Sequence, residues 1–143
     1  MLTRDDQQFI AQFEALTLDP TTFDHKAHLR LAFLCITQDG LEPAVERVGR
    51  GIRAFAGHIG AQAKYHQTIT EALVRVMGLR LARQPVADWP SFLASNPDLV
   101  NQAKEVLLQH YTPERLFSAE ARTRFVEPDR LPLEATACTL LVK

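Results

Sequence analysis

The stretch FDHKAHLRLAFLCITQDG, residues 23–40, decides the fold class. Asp24 is a residue type that caps helix N-termini through its side-chain oxygen, and Gly40 is a type that ends helices. Phe23, just before the cap, stands where a hydrophobic staple begins. Between these signals the sequence predicts a helix from about His25 to Asp39. On a wheel at ~100° per residue, Ala32 and Ile36 flank His25, and His28 falls between Ala32 and Cys35. Lys26, Arg30 and Thr37 gather on the opposite part. His25 and His28 therefore lie within the apolar stripe, with Asp24 placed to orient the ring of His28.

The segments on either side are helical too. Phe9, Phe13 and Leu16 form a stripe behind a Thr3 cap, giving a first helix near residues 4–17. Asp19-Pro20-Thr21-Thr22 breaks it. A third helix opens near Pro43 and turns Ala44, Val45, Val48, Ile52, Phe55 and Ala56 inward. Gly57 and Gly60 then open a loop, GHIGAQAKY. A fourth helix spans about Tyr65 to Arg83, and Pro85 and Trp89-Pro90 mark the next break. Shorter helical pieces follow at Ser91–Ala94, Pro97–Tyr111, Glu114–Phe117 and Ala119–Phe125, the last capped by Ser118. Beyond Pro128 and Pro132 the tail is irregular, with 136–142 read as a short strand or extended arm. The expected architecture is all-α: a single-domain helical bundle, 1–143, of four main helices plus shorter C-terminal helices and an irregular C-terminal tail.

Composition narrows the function classes. The chain has 143 residues and a formal net charge of −1, which argues against a dedicated nucleic-acid or anionic-membrane binder. No apolar run approaches the ~20 residues that span a bilayer, and the N-terminus lacks the apolar core of a signal peptide. The two cysteines, Cys35 and Cys138, fit no zinc or redox spacing. A cytoplasmic protein of bacterial type is the expectation. Arg outnumbers Lys by 12 to 4, and most of these charges are read as solvated helix faces with pairs such as Glu46–Arg50.

The histidines carry the functional question. His66 falls in line with Leu73 and Met77 on the fourth helix, so His25, His28 and His66 all point toward a core from the first turns of their helices. In an up-down bundle the second and fourth helices run parallel, which brings these rings to one end. A helix N-terminus disfavours imidazolium, and neutral imidazole is the form that binds metal or acts as a base. The absence of H-E-x-x-H and E-x-x-H patterns removes the zinc-protease and di-iron bundles. A mononuclear site of His25, His28 and His66 with zinc, iron or manganese is the form left open. Tyr65 and His66 stand as catalytic candidates, His110 and Tyr111 as substrate contacts. His110 equally suits a helix C-cap, and His58 reads as a surface residue. Arg80, on the apolar side of its helix, needs an anionic partner, an internal carboxylate being the favoured one. Trp89 reads as a packing anchor.

The blocks FDHKAHLRLAF (23–33), KYHQTIT (64–70), HYTPERLFS (110–118) and FVEPDRLPL (125–133) resemble those of a small bacterial all-helical protein family to which no activity is assigned. The resemblance implies positions to watch rather than a reaction: His25, His28, Arg30, Lys64, Tyr65, His66, Thr68, Thr70, His110, Tyr111 and Arg115. Members of that family often have an acidic residue where this chain has Gln67, and the wheel turns Gln67 outward, so it is assigned no role.

The leading expectation is an enzyme that acts on a small polar molecule in a histidine-lined pocket, metal-dependent or by acid–base work. One rival is a non-catalytic small-ligand or haem-binding module. The other is a structural or interaction protein whose histidines are core residues. A homodimer enters because the second helix is apolar around most of its circumference.

Overall fold

The computed structural model describes residues 2–133. The first helix, α1 (Arg4–Glu14), begins at a capping box in which Thr3 and Asp6 exchange side-chain and backbone bonds. It stops three residues before the sequence-based boundary, because Leu16 adopts a left-handed backbone at φ 62°. A single 3-10 turn, Pro20–Thr22, leads into α2 (His25–Asp39). Both ends of α2 lie where the sequence puts them: Asp24 accepts from the N–H of Ala27, and Gly40 follows at φ 89°.

The next helix, α3 (Leu41–His58), continues through Gly57 and His58, which the sequence reading assigns to the loop. The 3-10 turn Gln62–Lys64 precedes α4 (Gln67–Arg83). Five shorter helices complete the described chain: α5 (Trp89–Ser95), α6 (Pro97–Asn101), α7 (Ala103–Leu107), α8 (Pro113–Leu116) and α9 (Ala119–Thr123). No strand forms among the described residues, so the fold is all-α, as the periodicity implies. The expected arm at 136–142 lies outside the described residues.

The predicted helix over 97–111 is two helices. Gln102, at φ −140° and ψ 40°, separates α6 from α7. The side-chain amide of Asn101 donates to the Pro97 carbonyl at 3.1 Å. That carbonyl is an acceptor the helix ladder would use, so a short polar side chain competes with the backbone here.

The centre of the molecule is α2. Leu29 and the run Leu31 to Cys35 are all buried, enclosed by α3, α4, α5 and α6. The apolar circumference that raises the possibility of a dimer is thus consumed inside one chain. Aromatic rings fasten two sides of it: Phe23 meets Phe13 and Phe55 at 4.9 and 5.1 Å between centroids, and Phe33 meets Phe92 and Trp89 at 5.3 and 5.9 Å. Trp89 is a packing anchor.

Arginines tie the elements together at the surface. Arg47 of α3 is bidentate to Glu14 at 2.6 and 2.9 Å and reaches Asp39 at 2.8 Å, joining three helices. Arg80 finds its anion within the chain, at Asp98, with Asn96 as a second acceptor. Arg30 pairs with Asp6 at 2.8 Å and lies over the Phe9 ring.

Candidate functional site

The two histidines of the opening stretch and His66 line one cavity of about 310 Å³. α2 contributes His25, His28, Leu29 and Ala32, and α3 contributes Val48 and Ile52. The connection into α4 adds Lys64, Tyr65 and His66, and α4 itself adds Ile69, Thr70, Leu73, Val74 and Met77. Ala103, Lys104 and Leu107 of α7, with Leu116 and Phe117, close the remaining side. The floor is aliphatic. Three imidazoles, two lysines, Tyr65 and Thr70 are the cavity's polar residues, and no carboxylate belongs to the lining.

His66 is the N-cap of α4 rather than a first-turn residue. Its Nδ1 accepts from the Ile69 N–H at 3.1 Å, which places the ring proton on Nε2, and Nε2 donates to the Leu116 carbonyl at 2.9 Å. Both ring nitrogens are therefore committed to the main chain. Burial lowers its pKa, and the nearby charge of Arg122 acts in the same direction. His25 lies at the exposed end of the cavity and donates from Nε2 to the Leu99 carbonyl at 2.8 Å.

His28 differs from both. Its ring packs on Phe23 with centroids 4.2 Å apart. Phe23 precedes the N-cap and His28 is the fourth helical residue, so this contact is the hydrophobic staple of α2. Among the described residues neither ring nitrogen makes a hydrogen bond to protein, yet no ring nitrogen is sealed away from the cavity space without a partner. Desolvation, reinforced by the charge of His25, drops its pKa to about 4, while Asp24 pulls the other way. The imidazole is neutral at physiological pH. Asp24 does not orient it, since that carboxylate caps the helix instead.

The metal triad expected of His25, His28 and His66 does not form. Among the described residues no group of three or more His, Cys, Asp or Glu side chains is placed to hold an ion. The physical reason is that His66 has spent both nitrogens and His25 has spent one. Sharing a cavity wall is a weaker condition than converging on a point about 2 Å from each donor.

Tyr65 lines the cavity with its ring, but its hydroxyl donates to Gln67 Oε1 at 2.6 Å. Burial pushes the phenol pKa up. Gln67, which the wheel leaves without a role, also accepts from Arg53 at 2.8 Å and so anchors the connection outside the cavity. Arg122 braces the same connection through the carbonyls of Ala63 and Tyr65.

His110 and Tyr111 are not at the cavity. Tyr111 is fully buried and donates to the Val126 carbonyl at 2.7 Å. His110 donates from Nδ1 to the Leu131 carbonyl at 3.0 Å. Thr68 donates to the Arg124 carbonyl and accepts from the Val126 N–H, and Arg115 reaches the Glu127 carbonyl. Asp129 accepts from Thr112. Together these bonds strap residues 124–131 onto α4 and the 110–115 segment. The substrate contacts expected from the sequence are clamps on this strap.

Lys104 and Phe117 belong to the cavity wall without a signal in the sequence reading; both depend on how α7 and α8 fold back. Lys64 stands out only through the resemblance. Compared with known proteins, the chain matches no family model, no curated protein and no solved structure. Its functional reading therefore rests on the cavity.

Proposed function

We propose that this chain binds a small molecule in the cavity between α2, α4 and α7, with neutral His28 as its main polar contact. The observation that carries this is the unspent ring of His28. A residue needed only to staple Phe23 would be served as well by leucine, whereas His28 turns ring nitrogens with no protein partner among the described residues toward the cavity. A ligand donor or acceptor placed against the ring would use them. A volume of about 310 Å³ is at the small end of small-molecule sites.

Binding is favoured over catalysis by two features. A ring with a pKa of about 4 is a weak base at neutral pH, well below the range that suits acid–base work. No carboxylate, serine or cysteine lines the cavity beside it.

Fragment screening by ligand-detected NMR tests the proposal on three proteins: wild type, His28→Leu, which keeps the staple, and Ala103→Phe, which fills the cavity. Fragments that bind the wild type should compete with one another and weaken in both variants. Binding that survives in both would place the ligand elsewhere.

A further inference from the structure

We infer that the ligand of this cavity is a compact amphipathic monoanion, an alkyl or aryl carboxylate or its equivalent, with its apolar body on the aliphatic floor and its charge at the lysine rim. The inference deepens the binding proposal and rests on it. Its basis is the distribution of charge.

The chain as a whole is close to neutral, with a net charge of −1, yet every charged side chain in the lining is a cation. Lys64 and Lys104 enter from different elements, the 3-10 turn before α4 and α7. Neither makes an ion pair among the described residues; Lys104 lies 5.5 Å from the Phe117 ring centroid and Lys64 has no such neighbour. By contrast, the arginines that hold the helices together, Arg47, Arg75 and Arg80, are paired with carboxylates. Among the described residues, therefore, the lysine rim is not a structural bond. Arg122 adds a third positive charge behind the wall, close enough to depress the pKa of His66.

The apolar side of the ligand follows from the floor, where Leu29, Ile52, Ile69, Leu73, Met77 and Leu107 would offer a water molecule nothing to bond. Water there is displaced readily by a hydrocarbon. The cavity, at about 310 Å³, is at the small end of small-molecule sites. That suits an eight-carbon carboxylate. Neutral His28 can donate its one N–H to a carboxylate oxygen, while the lysines supply the opposing charge.

Isothermal titration calorimetry with octanoate, 1-octanol and octylammonium, below micellar concentrations, tests this. Wild type is compared with the double variant Lys64→Gln/Lys104→Gln, whose fold is checked by circular dichroism. Octanoate should bind the wild type with one-to-one stoichiometry and about fivefold more tightly than octanol at low salt. Octylammonium should be the weakest. The advantage over octanol should shrink at about 500 mM salt and vanish in the double variant, with octanol binding unchanged. Octanol binding as tightly as octanoate would overturn the inference while leaving the cavity as a binding site. The same holds if octanoate keeps its advantage in the double variant. Failure of all three probes on the wild type would overturn both the inference and the binding proposal.

Discussion

At the cap of α4, the His66 ring does two jobs with its two nitrogens, receiving the Ile69 N–H and donating to the Leu116 carbonyl. His66→Ala should cost about 1–2 kcal/mol, and His66→Asn about half of that, since asparagine restores the cap but not the cross-link. Urea midpoints of the three proteins check the order. A loss of ligand binding with no loss of stability would contradict the structural role. For His28 the measurable quantity is pH dependence. Its pKa falls from 6.5 to about 4 on folding, so between those values the unfolded chain binds the extra proton. The stability associated with the neutral ring is full above pH 6.5 and declines as pH drops toward 4, by up to about 3 kcal/mol. Carboxylates such as Glu14 and Asp98, held below their usual range by Arg47 and Arg80, lose their own contributions at the lower end of this window. The difference between wild type and His28→Leu isolates the histidine: the variant should show the shallower slope. That His25 and His28 share a cavity wall was legible because a wheel needs only helix phase, whereas His66 joins them as the N-cap of α4, outside the helix the wheel describes. What each nitrogen bonds was not, because Leu99 and Leu116 are brought in from distant parts of the chain.

Local signals gave α2 its ends, since Asp24 and Gly40 act within a few residues of themselves. The split between α6 and α7 was hidden because Asn101 and Gln102 are acceptable inside a helix, and a single side-chain bond to Pro97 tips the balance. Residues 124–131 form the other element that sequence periodicity does not describe. They have no regular structure of their own and are held by Thr68, His110, Tyr111 and Arg115. Tyr111→Phe leaves the buried Val126 carbonyl without its donor, at a cost of about 1–2 kcal/mol. Hydrogen exchange should quicken at Val126 and its neighbours before it does in α2. Uniform acceleration across all helices would mean that the strap is not a separate unit.

At the scale of the molecule, helices meet closely where glycine permits. A Cβ on Gly51 would lie 2.6 Å from Cε2 of Phe13, whose ring is wedged beside Phe23 and Phe55. Gly51→Ala should therefore destabilise by about 1–3 kcal/mol through overpacking of α1 on α3. Gly57→Ala, in the same helix with nothing within 4 Å, should be neutral or stabilise by up to about 1 kcal/mol. Thermal melts of the pair separate packing from propensity. The cavity belongs to this scale too: its walls come from α2, α3, α4, α7 and α8, and only the first and third of these were assigned to it by the sequence. The burial of the Leu29–Cys35 stretch of α2 on nearly every side has a consequence for how such a chain can drift. A helix with one wet face offers neutral positions at each turn, as α3 does between Val48, Ile52 and Phe55. From Leu29 to Cys35 only Arg30 has any outlet. A deep mutational scan selecting for folded protein should show this segment as a nearly unbroken block of intolerance, and α3 as a striped one. Over many generations, substitutions would accumulate around the middle of α2 while Leu29–Cys35 stands nearly still.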